Sequence, residues 1–494
     1  MTFVQQADGD RPPSAPTAKV VAKGALWNYA AQIATVIVQV AYAAVTSRLV
    51  GAEAFGVFGA AVTSAALINL LATAGLPQIV GRMQTLHESR LRGLLIYAGG
   101  VGIIAAVVLI LTAPGWARLW GLPDVAGMVR LLAITSFLAP LFALGTGLLL
   151  RLGRFRVLAV VTFFGNAAGM AVGVVVVAVT RWAASLAIAA IVAQFIIVVT
   201  TLGIARDGFR GRTTFGTVLR DVKFSGKTAF SGVLSYTAGN VGKIGVSQAF
   251  GPVALGNWNR AEALTTTPFY QLQAALIQAV YPEFRHDIGG HSRTARVWSD
   301  LIGVIAWICL PLGAAVAVVS PVAIPLVLGE GWEQAGRFAP WLAMIGGIQA
   351  VVFLLVSGLE ALGRFRWVWT GHAIAIVVNV IGAVLAVSLG TPTYFLVGIL
   401  AGLLGMHVFH VVMCVRAGLV EAKRVATHYL GVAAFAGVVA LTCVFVIRIP
   451  ALLDSAPWSV VGGAALLVLG STALWHRRRV LPPLVLARSY GLVK

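Results

Sequence analysis

The side chains in this sequence that could do chemistry are a small set of polar groups embedded in long apolar runs. Tyr236, Asn240, Lys243 and Ser247 follow one another at spacings of four, three and four, which on a helix puts them on one face. A short way on, the chain reads Asn257-Trp258-Asn259-Arg260-Ala261-Glu262, followed by Thr265, Thr266, Thr267, Tyr270, Gln271 and Gln273. A charge at the centre of a bilayer costs about 2.5–3.5 kcal/mol on insertion scales, so such residues normally face protein or a water-filled cavity. Cations, amides and hydroxyls in this pattern bind a ligand by charge and hydrogen bonding. Bond-breaking chemistry has no comparable support: the sequence offers no Gly-x-Ser-x-Gly nucleophile in a plausible context, no phosphate-cradling Gly-rich loop and no Walker sequence. No catalytic residue, cofactor or metal is expected. His407, His410 and Cys414 have ligand chemistry at helical spacing, but no matching ligands occur elsewhere.

Each of these positions also has a plainer reading. Lys243, Arg260 and Glu262 could pair as a buried ion cluster. Asn28, Gln32 and Gln39 in the first span, and Asn69 with Thr73 in the second, fall on shared faces and either line a pathway or join helices through hydrogen bonds. Arg48 and Glu53, at a span end, read as snorkelling or turn residues.

The elements that must position these residues are set by composition. Of 494 residues, 59% are hydrophobic and 11% charged, against about 45–50% and about 25% in soluble domains. The apolar residues come in runs of roughly 20, the length that crosses about 30 Å of hydrocarbon at 1.5 Å per residue. The expected fold is therefore an all-α polytopic membrane protein of about 14 transmembrane helices. Spans are predicted near 25–48, 55–80, 92–113, 125–150, 157–180, 182–204, 225–250, 256–282, 298–320, 336–359, 366–389, 393–415, 428–447 and 457–475.

The net charge of +20, from 36 Lys and Arg against 16 Asp and Glu, lies between these runs rather than on a nucleic-acid-binding face. It alternates by loop. Clusters at 82–92, 151–156, 206–227, 285–296, 364–366, 416–424 and 477–479 fall on one side, which the positive-inside bias assigns to the cytoplasm together with both termini. Segment 1–24 reads as a cytoplasmic tail without a cleaved signal, and 476–494 as a basic cytoplasmic tail. Cys309, Cys414 and Cys443 read as packing residues. Trp116, Trp120, Trp182, Trp332, Trp458 and Trp475 lie near span ends, as interfacial anchors would.

Two internal matches divide the chain. Residues 47–56, Ser-Arg-Leu-Val-Gly-Ala-Glu-Ala-Phe-Gly, align with 247–256, Ser-Gln-Ala-Phe-Gly-Pro-Val-Ala-Leu-Gly, and Leu152-Gly153-Arg154-Phe155-Arg156 recurs as Leu362-Gly363-Arg364-Phe365-Arg366. Each match occupies the same place in its half. The predicted organisation is an N-terminal six-helix half (25–204), a cytoplasmic linker (205–224), a C-terminal six-helix half (225–415) and an accessory helix pair (416–475), with the halves related by an axis along the membrane normal.

The turn Arg48-Leu49-Val50-Gly51-Ala52-Glu53-Ala54-Phe55-Gly56, with Ala74-Gly75-Leu76-Pro77, resembles the opening of polysaccharide transporters. Asn240-Val241-Gly242-Lys243-Ile244-Gly245, Gly251-Pro252-Val253-Ala254-Leu255-Gly256 and Tyr281-Pro282-Glu283 are similar to the second-half signature of that family. These are the O-antigen and capsule repeat-unit flippases of the multidrug, oligosaccharidyl-lipid and polysaccharide exporter superfamily. The resemblance covers most of the first twelve spans. It departs at Gly242, where members often carry an acidic residue.

What the resemblance implies is a flippase of the bacterial cytoplasmic membrane that moves undecaprenyl-diphosphate-linked oligosaccharide outward by alternating access. Membrane lipids and glycan assembly proteins would be its partners. On this reading Lys243 contacts the diphosphate, Arg260 is the second cation, and Asn240, Tyr236, Asn257, Asn259, Glu262 and Gln271 complete the substrate-binding set, because cations and hydrogen-bonding groups offset the desolvation of an anionic headgroup. The alternatives are a lipid II flippase of peptidoglycan synthesis and a cation-coupled drug exporter. The second of these would place a buried carboxylate in an early span, where this chain has none. A membrane-embedded glycan polymerase would need a large arginine-bearing outer loop, which is also lacking.

Overall fold

A computed structural model of the chain describes residues 18–73, 76, 80, 88–209, 226–270 and 291–447. Among these, twelve α-helices follow in order: α1 (Ala18–Leu49), α2 (Ala52–Thr73), α3 (Glu88–Trp120), α4 (Val125–Arg151), α5 (Phe155–Thr180), α6 (Ser185–Ile204), α7 (Gly226–Thr265), α8 (His291–Leu328), α9 (Glu333–Ala361), α10 (Phe365–Ser388), α11 (Thr393–Arg416) and α12 (Ala422–Ile447). Ten of them are long and apolar enough to cross a membrane; the polar α7 is not among them, and α1 contributes a shorter apolar stretch, Ala34–Leu49. With large hydrophobic side chains such as Leu111, Val179 and Leu430 at 73%, 80% and 75% exposure, the helices present apolar surface that only lipid would cover. The protein is a multi-pass membrane protein. The predicted seventh and eighth spans are the two arms of α7, which bends at Gly251 (φ 78°, ψ −176°), a conformation open essentially only to glycine. The predicted fourteenth span, 457–475, lies outside the described residues.

The chain divides into two compact units, Met1–Gly256 and Asn257–Lys494, with the division inside α7 just past its bend. In the first unit α3 pairs with α4, α5 with α6, and α4 packs on both α2 and α6. In the second, α8 pairs with α9, α10 with α11, and α9 packs on α11. The third to sixth spans of one half and the ninth to twelfth of the other thus use the same pairing scheme. To it the second unit adds α12, laid against α8.

Lipid is as apolar as the helices, so close packing rather than the hydrophobic effect drives their association. Small residues serve this. Gly165, Gly169 and Gly173 form a stripe on α5, and a Cβ at Gly169 would come within 2.6 Å of the Ala193 Cβ on α6. The larger side chains fill the remaining volume: Val57, Leu109, Trp120, Val129 and Leu132 form one buried cluster of the first unit, and Trp298, Ile302, Ile305, Leu355, Leu359 and Met413 form that of the second.

The recurring pentapeptide builds the same turn twice. At the end of α4, Arg154 N–H donates to the Leu149 carbonyl (2.9 Å) and Gly153 N–H to Leu150 (3.1 Å); at the end of α9, Arg364 donates to Leu359 (2.8 Å) and Gly363 to Glu360 (2.9 Å). The glycines take φ 68° and 71°, and the arginines that follow share one conformation, −83°/48° and −82°/46°. This is a Schellman-type C-cap, in which a left-handed glycine returns the chain so that orphan carbonyls are satisfied.

The tryptophans divide into two groups. Trp182 is 60% exposed, as an anchor at the membrane surface would be, whereas Trp120 and Trp332 are 1% and 2% exposed and pack inside the protein. Trp120 turns inward because its indole N–H finds the Ser64 hydroxyl of α2 at 2.9 Å. The expected anchoring role does not hold for either of these two, and Trp458 and Trp475 lie outside the described residues.

Candidate functional site

The predicted face of the first α7 arm exists within the first unit. Lys243 is 8% exposed and Ser247 2%, and Tyr236 and Asn240 are half-buried. The arm is held by polar ties to two other helices. Tyr236 Oη donates to the Thr63 carbonyl of α2 (2.7 Å), and Ser247 Oγ donates to the Trp120 carbonyl at the end of α3 (2.7 Å). Gln248 Nε2 reaches the neighbouring carbonyls of Leu119 (2.7 Å) and Arg118 (3.2 Å). Asn240 Nδ2 is used locally, on the Tyr236 carbonyl one turn earlier (2.9 Å).

The two repeated segments meet here. A Cβ added at Gly56 would overlap the Pro252 carbonyl oxygen, and one at Gly256 would overlap that of Ala52. In the sequence alignment of the repeat, Ala52 matches Pro252 and Gly56 matches Gly256, so the contact is reciprocal, as a two-fold relation between the segments requires.

The remaining predicted site residues belong to the second unit, on the second arm of α7. Asn257 (1% exposed) accepts the Ala335 N–H with its side-chain oxygen (2.9 Å), capping the first turn of α9. Arg260 is 8% exposed; Asn259 and Glu262 are half-buried on the same arm. Just past the end of α7, Thr266 Oγ1 donates to the Leu342 carbonyl (2.9 Å) and Tyr270 Oη donates to Gln349 Oε1 (3.0 Å), so the chain from Asn257 onward follows α9 as far as Gln349. Gln271 lies outside the described residues. In α1, Gln39 is half-buried, and the side chains of Asn28 and Gln32 are likewise outside what the structure describes.

One charged cluster was not read from the sequence. Asp300, near the start of α8 and 1% exposed, accepts two hydrogen bonds from Arg424 of α12, Nη2 to Oδ2 at 2.7 Å and Nε to Oδ1, and its Oδ1 also meets His428 Nε2 at 3.2 Å. Ser299 Oγ accepts the Glu421 N–H (2.8 Å), and the His428 ring lies over Gly303, where a Cβ would come within 2.7 Å of it. Arg424 and His428, one turn apart at the head of an apolar run, were the available signal. Among the described residues, no group of three or more His, Cys, Asp or Glu side chains is arranged to hold a metal ion.

A family model described as "Polysaccharide biosynthesis protein" matches residues 45–337, more than half of the chain. Lipopolysaccharide biosynthesis protein WzxC of Escherichia coli (strain K12) is 22% identical over 386 residues, covering 76% of this chain and 77% of that protein. Among solved structures, the lipid II flippase MurJ in an inward closed conformation superposes with a TM-score of 0.68 at 12% identity, over 93% of this chain and 99% of MurJ. An inward-facing multidrug resistance MATE family transporter of the MOP superfamily gives 0.55 at 15% identity, over 84% of this chain and 99% of that one. At these identities the structural likenesses establish the fold.

Proposed function

Because the chain belongs to the polysaccharide biosynthesis protein family, we propose that it is a flippase that carries an undecaprenyl-diphosphate-linked oligosaccharide across the bacterial cytoplasmic membrane by alternating access, with both termini in the cytoplasm. The observation that carries this reading is Lys243, a cation 8% exposed in a helix of a membrane protein, on one face with Tyr236, Asn240 and Ser247. A cation among hydrogen-bonding groups offsets the desolvation of an anionic headgroup, and a diphosphate is the anionic part of such a lipid. Lys243 binds the diphosphate, with Arg260 as the second cation. Tyr236, Asn240, Asn257, Asn259, Glu262 and Gln271 hydrogen-bond the sugars, while the polyprenyl chain stays in lipid. That WzxC is a lipopolysaccharide biosynthesis protein supports a sugar-bearing cargo.

The test is deletion of the gene followed by identification of the lipid-linked intermediate that accumulates, with complementation by Lys243→Ala and Lys243→Arg. Accumulated polyprenyl-diphosphate oligosaccharide, failure of Lys243→Ala to restore surface polysaccharide and restoration by Lys243→Arg are the expected results. Accumulated lipid II would move the assignment to peptidoglycan synthesis. Full complementation by Lys243→Ala, at normal membrane levels, would remove the diphosphate contact.

A further inference from the structure

We propose that Ser247, Gln248, Pro252 and Gly256 form a reversible latch, hinged at Gly251, that closes the outer approach to the Lys243 face. The inference deepens the transport reading above and rests on it and on the loop-charge orientation, which puts the end of α3 and the bend of α7 outside.

Three observations carry it. The first is what the polar half of the latch holds. The last carbonyls of a helix lack intrahelical partners and carry partial negative charge. Those of Arg118, Leu119 and Trp120 are met by Gln248 and Ser247, more than a hundred residues further along the chain. A carbonyl at a helix end near the membrane surface finds water as readily as a side chain, so each bond is released at small net cost. Gln248 is itself exposed, which keeps water at hand.

The second is the apolar half. Gly56 against Pro252 and Gly256 against Ala52 is contact of backbone with backbone. At these four points the closest approach is between backbones, so the points themselves part and meet again without a rotamer change, while beside them Leu255 leaves and rejoins the cluster of Val57.

The third is the position of the hinge. Gly251 lies between the two halves of the latch, with Ser247 and Gln248 before it and Pro252 and Gly256 after. It holds φ 78°, and a Cβ built there would meet nothing within 4 Å. The joint thus has both conformational freedom and space. Lys243 sits one turn before Ser247 on the same arm, so a swing of this arm about Gly251 carries the proposed headgroup ligand with it. The opposite side of the latch is fixed, because Trp120 ties the end of α3 to Ser64 of α2.

The test uses the full-length protein in intact cells, with Cys309, Cys414 and Cys443 replaced by Ala and a single reporter, Thr63→Cys, on the α2 turn that Tyr236 contacts. The probe is a membrane-impermeant maleimide added outside. Ser247→Ala with Gln248→Ala, and separately Gly56→Leu, are expected to raise the reporter's labelling rate at least about fivefold, the shift that loss of roughly 1 kcal/mol of closing energy produces. Unchanged labelling in both variants, or an increase seen only when the reagent is admitted from inside, would overturn the latch. Labelling reads opening without reference to cargo, so that result would leave the diphosphate assignment standing, just as normal export by Lys243→Ala would leave the latch standing.

Discussion

Arg424 grips Asp300 through both carboxylate oxygens, joining the first turn of α12 to the third turn of α8. The guanidinium supplies two parallel donors in fixed geometry, which a lysine does not. Removing one member of a buried pair strands the other, at a cost of about 3–5 kcal/mol. Asp300 is almost wholly buried while Arg424 is 35% exposed, so the carboxylate is the member that suffers when the pair is broken. Arg424→Ala is therefore expected to destabilise by about 3 kcal/mol and Arg424→Lys by less, whereas Asp300→Asn with Arg424→Gln together cost less than Arg424→Ala alone. Thermal unfolding of the detergent-purified protein measures all three.

The Trp120–Ser64 hydrogen bond gives a second expectation. Trp120→Phe keeps most of the ring volume but leaves the Ser64 hydroxyl without its indole donor, and Ser64→Ala leaves a buried indole N–H. Each is expected to cost about 1–2 kcal/mol. The double variant is expected to cost less than the sum, with a coupling of about 1 kcal/mol in a double-mutant cycle. Strict additivity would show that the bond contributes nothing.

A third concerns the twin turns. Gly153→Ala and Gly363→Ala each force a Cβ into left-handed backbone, at about 1–2 kcal/mol apiece; Asn at either position is tolerated better. The turns belong to separate units and share no partner, so the two effects are expected to add in the double variant. Equal stability of the Ala and Asn variants would argue against the left-handed conformation at these glycines.

The α5 stripe yields a fourth. Gly169 has Ala189 and Ala193 within 3 Å of where a Cβ would stand, and Leu there overpacks the contact by about 1–3 kcal/mol or more. The expected signature is a drop in folded yield from membranes, read by size-exclusion chromatography, larger for Gly169→Leu than for Gly169→Ala.

Much of the architecture could be read from the sequence, because bilayer thickness imposes one length on every span and hydropathy reports it. The pentapeptide repeat was also a sound guide: identical residues folded to dihedral angles that agree within a few degrees. The limits appear where chemistry depends on partners distant in sequence. Asp300 sits two residues inside the predicted ninth span, and nothing in its surroundings announces that Arg424 and His428 will reach it. Trp120 looked like an anchor because position along a helix does not reveal azimuth; only Ser64, on another helix, draws the indole inward. The face of Tyr236, Asn240 and Lys243 followed from helical spacing alone. That Ser247 and Gln248 would cap α3 did not, since a capping side chain can come from any neighbour.

The Schellman turns have a consequence for biogenesis. In each copy, the glycine that stops the helix is followed at once by two arginines, Arg154 and Arg156 or Arg364 and Arg366. Stop and address are therefore written in the same five residues: the emerging segment ends as a helix just where positive charge resists translocation. On the predicted two-half organisation with these loops cytoplasmic, each half would carry its own instruction for which way to thread as it leaves the ribosome, and the second would not need to inherit its orientation from the first.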